Sequence, residues 1–384
     1  MLHPFDDYPI HQAPTPLLHP ATDSPNAYDR AFYNGYSPDG EVFFAVALGV
    51  YPNRRIMDAT FSVVRDGIQH NLRASRACID DRTETRVGPI AIDIVEPMLH
   101  HRISVDSPDH DLRAELIWRS RSPVIEEPRF THLSGTVTRF DYTRMTQFGS
   151  WSGWIDLDGE RIEIDTDHDT DHDAGHDVGH VVGCRDRSWG IRSIGASIPG
   201  PPSAPQFFWI WAPTIFDDAC THIALNHEAD GRPWHQSGAA TTRLGDDELS
   251  IATVLDPSRV QRAERAHVNI DWGPGTRWAR SITTILERFE ADPIEISYEP
   301  ILRFQMSGLG YLHPSWGHGM WRGELDVERD AIVLDEVEPA SITGLHIQAL
   351  SVARWGDRVG IGTVEQLVIG PHTPTGLTGI TDGA

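Results

Sequence analysis

The chain contains no lysine. All 32 of its basic residues are arginine, and 56 acidic residues outnumber them, so the formal charge of the 384-residue chain is −24. The absence of lysine excludes Schiff-base catalysis, a Walker-type phosphate-binding lysine and an amine general base. The acidic excess disfavours nucleic acid and anionic membrane surfaces as partners, because both repel a protein of this charge. We therefore expect a substrate that is neutral, apolar or cationic.

Cysteines and long apolar runs are also scarce. The three cysteines, Cys78, Cys184 and Cys220, are too few and too scattered for a disulfide framework, which favours a reducing compartment. The longest apolar stretch, residues 42–51, is too short to span a bilayer, and the N-terminus lacks the pattern of a signal peptide. These absences predict a cytoplasmic protein without a membrane span.

Strand-like patterns dominate the sequence. Segments rich in β-branched and aromatic residues lie at 41–51, 58–67, 100–107, 112–120, 152–164 and 207–216. Asp-Gly pairs predict tight hairpin turns at 39–40, 66–67, 158–159 and 230–231. Segment 281–290 suits a helix or a strand equally well. The sequence therefore predicts an all-β, antiparallel protein.

A proline cluster at 199–206 divides the chain into two similar parts. Because proline is excluded from sheet interiors, we interpret this cluster as a linker. The flanking parts, residues 29–198 and 207–384, each have the length of one barrel or sandwich, which predicts two tandem β-domains. Residues 1–28 are rich in proline and predict an N-terminal arm.

The segment 165–180 carries a histidine at every fourth position among aspartates. Such spacing could chelate a transition metal if the segment were helical. Asp and Gly are poor helix formers, however, so a solvated loop between two strands is the favoured interpretation and no metal site is predicted.

Several catalytic motifs are absent. The chain has no GxGxxG, GxxxxGK[ST], HExxH or GxSxG sequence, so dinucleotide-binding, NTP-binding, zincin and α/β-hydrolase interpretations lose support. We expect no cofactor.

One candidate site is the segment 184–192, Cys-Arg-Asp-Arg-Ser-Trp-Gly-Ile-Arg. Strand alternation places Asp186 on one face and Arg185, Arg187 and Trp189 on the other. If Asp186 faces an apolar cavity, burial raises its pKa and makes it a proton donor. If an arginine pairs with it, the pKa falls and Asp186 is a structural anchor.

A second candidate is the glycine-rich segment 308–324. His313 and His318 could transfer protons near neutral pH, with Tyr311 or Glu324 orienting them. The alternative is an ordinary turn whose tryptophans belong to the core. Aromatic residues predicted to contact a substrate here and elsewhere are Trp151, Trp189, Trp209, Trp211, Tyr311, Trp316 and Trp321.

These segments resemble the carotenoid 1,2-hydratase (hydroxyneurosporene synthase) family. The resemblance rests on Asp186-x-x-Trp189-Gly190 and on residues 207–211, 229–233, 298–302 and 321–323, and it is greatest to an uncharacterised bacterial branch. It implies two lipocalin-like β-domains and a relation to hydratases, cyclases and Diels-Alderase-like enzymes. Two positions depart from the family pattern, because Arg187 stands where a histidine is usual and Arg322 where a glutamate is usual.

The resemblance implies a cofactor-independent hydratase, isomerase or cyclase for a polyene, terpenoid or polyketide-like substrate. Asp186 or a histidine would protonate an alkene, and tryptophan faces would stabilise the resulting cation. The alternative is a lipocalin-like protein that only binds a hydrophobic small molecule, with Asp186 as a structural anchor.

Overall fold

The computed structural model describes residue 5 and residues 9–78, 80–164, 181–193 and 205–383. The His/Asp-rich segment 165–180 and most of the predicted linker 199–206 lie outside the described residues, so their predictions stay open. None of the helices within the described ranges has the length and apolar character that crossing a bilayer requires.

Antiparallel strands form almost all of the regular structure in the described part of the chain. The strands that precede the predicted linker are β1 (Ala27–Tyr36), β2 (Phe43–Tyr51), β3 (Ile56–Arg65), β4 (Ile68–Ala77), β5 (Arg86–Val87), β6 (Ile90–Glu96), β7 (His100–Ser107), β8 (Leu112–Ser120), β9 (Ile125–Glu126), β10 (Phe130–Ser134), β11 (Val137–Leu157), β12 (Glu160–Ile164) and β13 (Val182–Arg192).

Eleven further strands follow the predicted linker in the described residues. They are β14 (Phe207–Trp211), β15 (Thr214–Ile215), β16 (Ala219–His227), β17 (Pro233–Thr242), β18 (Val260–Arg262), β19 (Arg265–Trp272), β20 (Ala279–Arg288), β21 (Ala291–Gln305), β22 (Leu325–Val333), β23 (His346–Trp355) and β24 (Arg358–Ile369). The ambiguous segment 281–290 is thus mostly strand β20.

Helical structure among the described residues is limited to single turns. The α-helix α1 (Ile251–Val254) begins where the Ser250 side chain accepts a hydrogen bond from the Thr253 amide. The short 3₁₀ turns are Pro52–Arg54, Pro108–His110, Asp246–Glu248, Pro257–Arg259, Met306–Leu309, Leu334–Glu336 and Thr373–Thr375.

The strands form two large sheets. The first has the order β22-β4-β3-β2-β1-β13-β11-β8-β7-β6-β5, with β9, β10 and β12 also paired to β11. The second has the order β18-β17-β16-β14-β24-β23-β21-β20-β19, with β15 paired to β16 and β24. The predicted all-β, antiparallel fold is confirmed.

Two of the predicted Asp-Gly turns have the backbone that a tight hairpin requires. Asp66 and Gly67 both have positive φ, at 50° and 76°, between β3 and β4. Asp158 and Gly159 do the same between β11 and β12, at 52° and 84°. Consecutive positive φ angles match the right-handed twist of the flanking strands, so these turns set the hairpin registers.

Strand β1 is buried on both faces, as are residues 144–151 of β11 and residues 182–185 of β13. Along β1, Ala31 and Tyr33 pack into a core inside the first sheet, whereas Tyr28 and Phe32 pack into a core shared with the second sheet. A third core lies within the second sheet. The shared core is where side chains from both parts of the chain meet.

One connection crosses between the sheets. The chain leaves the second sheet at the end of β21 and joins the first sheet as β22, which pairs with β4. Residues 306–324, here called the crossing segment, contain the glycine-rich candidate motif. Gln69 donates to the Gln305 carbonyl at 2.9 Å, and Arg73 donates to the Gly308 carbonyl at 2.9 Å, so strand β4 holds the start of the segment.

Candidate functional site

A cavity of about 540 Å³ lies among β1, β11 and β13 of the first sheet, strands of the second sheet and the crossing segment. This volume is within the range of small-molecule sites. Much of its wall is aromatic and consists of Phe32, Phe140, Tyr142, Phe207, Trp209 and Trp234. Its polar side chains include Arg30, Arg144, Asp186, Arg192, Tyr311, His313, His318, His346 and Glu365.

Alternation along β13 directs Asp186 into this cavity. Its neighbours Arg185 and Arg187 lie on the opposite face, where Arg185 donates to the Gln147 side chain at 2.9 Å and Arg187 pairs with Asp29. The predicted division of these residues between the two faces is confirmed. The arginines adjacent in sequence to Asp186 are therefore not its partners.

Asp186 is half-buried and faces the cavity. Among the described residues, its carboxylate forms neither a hydrogen bond nor an ion pair. Burial raises the pKa of Asp186 to about 6, although Arg144 and Arg30 act in the opposite direction. A carboxyl group with this pKa and no partner can exchange a proton with a ligand near neutral pH.

Arg144, which comes from β11, is fixed by a buried ion pair. It donates to both carboxylate oxygens of Glu127, at 2.7 and 2.8 Å, and the guanidinium lies 4.8 Å from the ring centre of Trp209 and 5.2 Å from that of Trp211. Burial raises the pKa of Glu127, but the adjacent Arg144 more than offsets this and holds it below its usual range. Arg144 therefore forms part of the cavity wall, and Glu127 neutralises its charge.

Glu365, on β24, organises the opposite side of the cavity. Its carboxylate accepts hydrogen bonds from the Trp209 indole, His346 Nε2 and the Gln348 amide, each at 2.8 Å. Burial opposes ionisation, but these donors lower the pKa of Glu365 to about 2. Glu365 is thus an ionised acceptor, and His346 donates to it through Nε2, which leaves His346 Nδ1 without a partner in the described structure.

His318 has both ring nitrogens engaged. Arg30 donates to Nδ1 at 3.0 Å, so Nε2 carries the proton and donates to the Leu309 carbonyl at 2.9 Å. Burial, together with Arg30 and Arg192, holds the pKa of His318 well below its usual range. His318 is therefore a neutral residue that positions Arg30, and this geometry leaves it no nitrogen for the predicted proton transfer.

His313 differs, because one nitrogen remains available. Its Nδ1 accepts from the backbone amides of Ser315 and Trp316, at 3.3 and 3.0 Å, so the neutral ring carries its proton on Nε2. Burial and the nearby Arg73 lower the pKa of His313. Asp186 and His313 thus line one cavity, where Asp186 can donate a proton and the Nε2–H group of His313 can donate a hydrogen bond to a bound molecule.

Two of the seven aromatic residues predicted to contact a substrate, Trp209 and Tyr311, line the cavity. Trp211 is buried behind the wall in the shared core, where its ring contacts Phe32 edge-on at 6.1 Å. Trp151 lies in the core of the first sheet and donates to the Asn34 carbonyl at 2.9 Å. Strand alternation explains Trp151, because odd positions at that end of β11 point away from the second sheet.

The other three predicted aromatics lie outside the cavity wall. Trp316 is buried and donates to Glu328 at 2.8 Å, while Trp189 and Trp321 are 44% and 56% exposed. The strand alternation that turns Asp186 toward the cavity turns Trp189 to the opposite face. Neither the Trp189 ring nor the Trp321 ring reaches the cavity.

The two departures from the resembled family pattern also lie away from the cavity. Arg187 pairs with Asp29. Arg322 pairs with Asp326 at 2.9 Å and lies 4.4 Å over the Trp316 ring. Both arginines form surface or partly buried ion pairs, so neither supplies a group to the cavity.

Five polar residues of the site were not among the candidates from sequence: Arg30, Arg144, Arg192, His346 and Glu365. A signal was present for some of them. Arg30 and Glu365 each occur in a strand that consists mostly of apolar or aromatic residues, and a charged residue is rarely buried without a specific partner or function. The sequence of a single segment does not indicate which strands lie next to each other in the folded protein.

Comparison with known proteins places the chain in a family but does not supply a reaction. The sequence profile of a family of unknown function, DUF8625, matches residues 2–378, so the chain belongs to this family. No curated protein matches the sequence.

Several solved structures have a similar fold. Kievitone hydratase from Nectria haematococca is 10% identical, with 88% of each chain covered and a TM-score of 0.50. A Nitrosomonas europaea protein assigned as AttH is 13% identical over 89% of this chain and 92% of that one, with a TM-score of 0.49. CghA is 8% identical over 90% and 89%, with a TM-score of 0.47. At these identities the similarity concerns the lipocalin-like β fold alone.

Proposed function

We propose that this member of the DUF8625 family is a cofactor-independent enzyme of the hydratase, isomerase or cyclase type. Its substrate is a hydrophobic unsaturated molecule of the polyene, terpenoid or polyketide class. The observation that carries the proposal is the Asp186 carboxyl group, which faces an aromatic cavity, has no partner among the described residues and has a pKa raised to about 6. The fold shared with kievitone hydratase, whose name describes the addition of water, supports hydration among these reactions.

In the proposed reaction, the protonated Asp186 donates its proton to one carbon of an alkene. The π electrons form the new C–H bond and leave the neighbouring carbon electron-deficient. Attack by water followed by return of one proton to Asp186 completes a hydration. Loss of an adjacent proton to Asp186 completes an isomerisation, and attack by a second alkene followed by the same proton loss completes a cyclisation.

The cavity charges limit which intermediate can form. The sequence suggested that tryptophan faces would stabilise a carbocation, but the Arg144 guanidinium already lies over Trp209 and Trp211. Arg30 and Arg192 are two cations of the wall that, within the described residues, no ion pair neutralises. We therefore expect the reacting alkene to be conjugated with an oxygen function, because conjugation spreads the charge that these arginines would otherwise oppose.

The acid role of Asp186 predicts a pH dependence. Catalysis requires the protonated carboxyl, so the rate should be greatest below about pH 6 and fall as pH rises through the pKa. Arg144 and Arg30 favour ionisation of Asp186, while Glu127 and Glu365 oppose it, and these charged groups set the midpoint together with burial.

The test is a panel of unsaturated hydrophobic compounds incubated with the protein in D₂O buffer and analysed by mass spectrometry. Addition of D₂O indicates hydration, and incorporation of deuterium without addition indicates isomerisation or cyclisation. Asp186→Asn should abolish the product, while the matched control Asp156→Asn, which removes an exposed carboxylate paired with Arg161, should not.

An active Asp186→Asn variant would refute the proposed acid. If panel members bind to the wild-type protein but none is converted or labelled, the alternative of a binding protein for hydrophobic molecules is favoured instead.

A further inference from the structure

Two of the cavity arginines form no ion pair within the described residues. Arg144 is paired with Glu127, but neither Arg30 nor Arg192 forms an ion pair with a carboxylate in the part of the chain that the structure describes. Arg30 is only 4% exposed, its Nε has no hydrogen-bond partner among the described residues, and its Nη1 donates to the uncharged His318. The half-buried Asp58 carboxyl acts on Arg30 without forming an ion pair with it, so the charge of Arg30 is compensated only in part. A buried cation without full compensation is costly, which points to a charge that a ligand supplies.

The two guanidinium groups converge on one end of the cavity. The Arg30 guanidinium lies 4.7 Å from the ring centre of Tyr311, and that of Arg192 lies 5.5 Å from the same centre. They come from different strands, β1 and β13, and Tyr311 comes from the crossing segment. Two guanidinium groups beside one tyrosine offer donors to an oxygen anion, because guanidinium groups bind carboxylates and similar groups with short, charge-assisted hydrogen bonds.

We propose that the cavity binds a hydrophobic molecule that carries an ionised oxygen group, such as a carboxylate, an enolate or a phenolate, and that Arg30 and Arg192 bind this group beside Tyr311. This inference deepens the function proposed above and rests on it, since it names the substrate class of the same cavity. The aromatic wall of Phe32, Phe207 and Trp209 receives the apolar part of the molecule.

The position of the charged group relative to Asp186 fits this substrate class. Arg30 is the register partner of Ser188, two residues from Asp186 on β13, or roughly 7 Å along the strand. An oxygen anion held by Arg30 therefore lies a few bonds from a carbon that Asp186 can reach. Conjugation between that oxygen and the reacting alkene is possible over such a distance.

Binding of the anion also favours the protonated form of Asp186. Arg30 is one of the two arginines that lower the pKa of Asp186, so an anion bound to Arg30 cancels part of that effect and adds a negative charge nearby. The correct substrate would thus help to keep the acid protonated, whereas an uncharged analogue would not.

This substrate class departs from the expectation based on net charge. The formal charge of −24 disfavours anionic partners at long range, but salt screens charges beyond about 8–10 Å. Inside the cavity, the local arginines determine which ligand is favoured. Only the folded arrangement of β1, β13 and the crossing segment reveals them.

The test compares two matched pairs of probes, 2-naphthoic acid with 2-naphthalenemethanol and all-trans-retinoic acid with retinol. Each pair shares a carbon skeleton, and the two skeletons differ in length. Binding is followed by quenching of tryptophan fluorescence, since Trp209 lines the cavity. We expect at least one acid to bind about 10- to 100-fold more tightly than its alcohol, as two charge-assisted contacts would give.

Arg192→Met should remove most of this preference, and Arg192→Lys should keep part of it. Unchanged binding of the alcohol to Arg192→Met shows that the variant is folded. The matched control is Arg187→Met, because Arg187 lies on the same strand but faces away from the cavity. This control should keep the full preference for the acid.

The outcomes separate this inference from the proposed function. Equal binding of acid and alcohol by the wild-type protein overturns the anion site but leaves an apolar binding cavity. A preference for the acid that survives in Arg192→Met overturns the assignment to Arg192. If neither pair binds, the cavity is not a site for hydrophobic molecules, and both proposals fail.

Discussion

The Asp186→Asn substitution distinguishes a catalytic acid from a structural anchor by its effect on stability. In the folded protein, burial raises the pKa of Asp186 from its ordinary value of 3.8 to about 6. The folded state therefore binds the proton more tightly than the unfolded state does. Between these pKa values the folded protein holds more protons, so stability falls as pH rises from about 3.8 to about 6.

The size of this effect follows from the same two values. A rise from 3.8 to about 6 corresponds to about 3 kcal/mol of stability lost above pH 6. Asparagine has the shape of the protonated carboxyl group but cannot ionise. We therefore expect Asp186→Asn to be more stable than the wild-type protein at pH 8, by up to about 3 kcal/mol, and similar to it near pH 4.

The assay is urea unfolding at pH 4 and pH 8, followed by tryptophan fluorescence and circular dichroism. An anchor would behave in the opposite way, because breaking a buried ion pair destabilises a protein by about 3–5 kcal/mol. If Asp186→Asn is less stable than the wild-type protein by that amount at pH 8, the reasoning for an unpaired, protonatable carboxyl is refuted. Asp156→Asn, at an exposed ion pair, serves as the control and should change little.

Three other substitutions test the wall of the cavity. Arg144→Met should destabilise the protein by about 3–5 kcal/mol in urea unfolding, because Glu127 would be left charged and buried, and adding Glu127→Gln should recover part of the loss. Glu365→Gln should lower the free energy of unfolding by about 3 kcal/mol at pH 7, since the pKa of Glu365 is lowered from 4.5 to about 2. The difference in stability from the wild-type protein should shrink as pH falls from 4.5 to 2, and a difference that stays constant would contradict this prediction. Gly310→Ala should weaken binding of the probes and lower the free energy of unfolding by about 1–3 kcal/mol, because Gly310 has a φ of +92° and a Cβ there would lie 2.6 Å from the Trp316 carbonyl oxygen. Unchanged binding would show that the crossing segment tolerates the resulting shift.

Part of the site was predictable from the sequence because it depends on alternation within one strand. The pattern around Asp186 correctly separated it from Arg185 and Arg187, since successive side chains in a strand point to opposite faces. The glycine-rich segment was also singled out, and Tyr311 and His313 do line the cavity. The assignment of catalytic roles to these residues stays a prediction.

Other interpretations failed where they needed partners from distant segments. The arginines beside Asp186 in sequence suggested an ion pair, but the arginines that influence its pKa most are Arg144 and Arg30, from neighbouring strands. The sequence predicted proton transfer by His318, but Arg30 and the Leu309 carbonyl occupy both of its ring nitrogens. No local pattern reports such contacts between residues far apart in the chain.

The sequence by itself determined the all-β character of the protein, its hairpin turns and which face of β13 carries Asp186. These properties follow from local chemistry, namely β-branched and aromatic side chains, Asp-Gly turns and the two-residue period of a strand. Only the tertiary structure decided that β21 and β22 belong to different sheets, so that the segment between them crosses the shared core. That crossing brings Tyr311 to Arg30 and Arg192, because strand pairing joins residues that are distant in sequence, and this pairing forms the cavity and its charge.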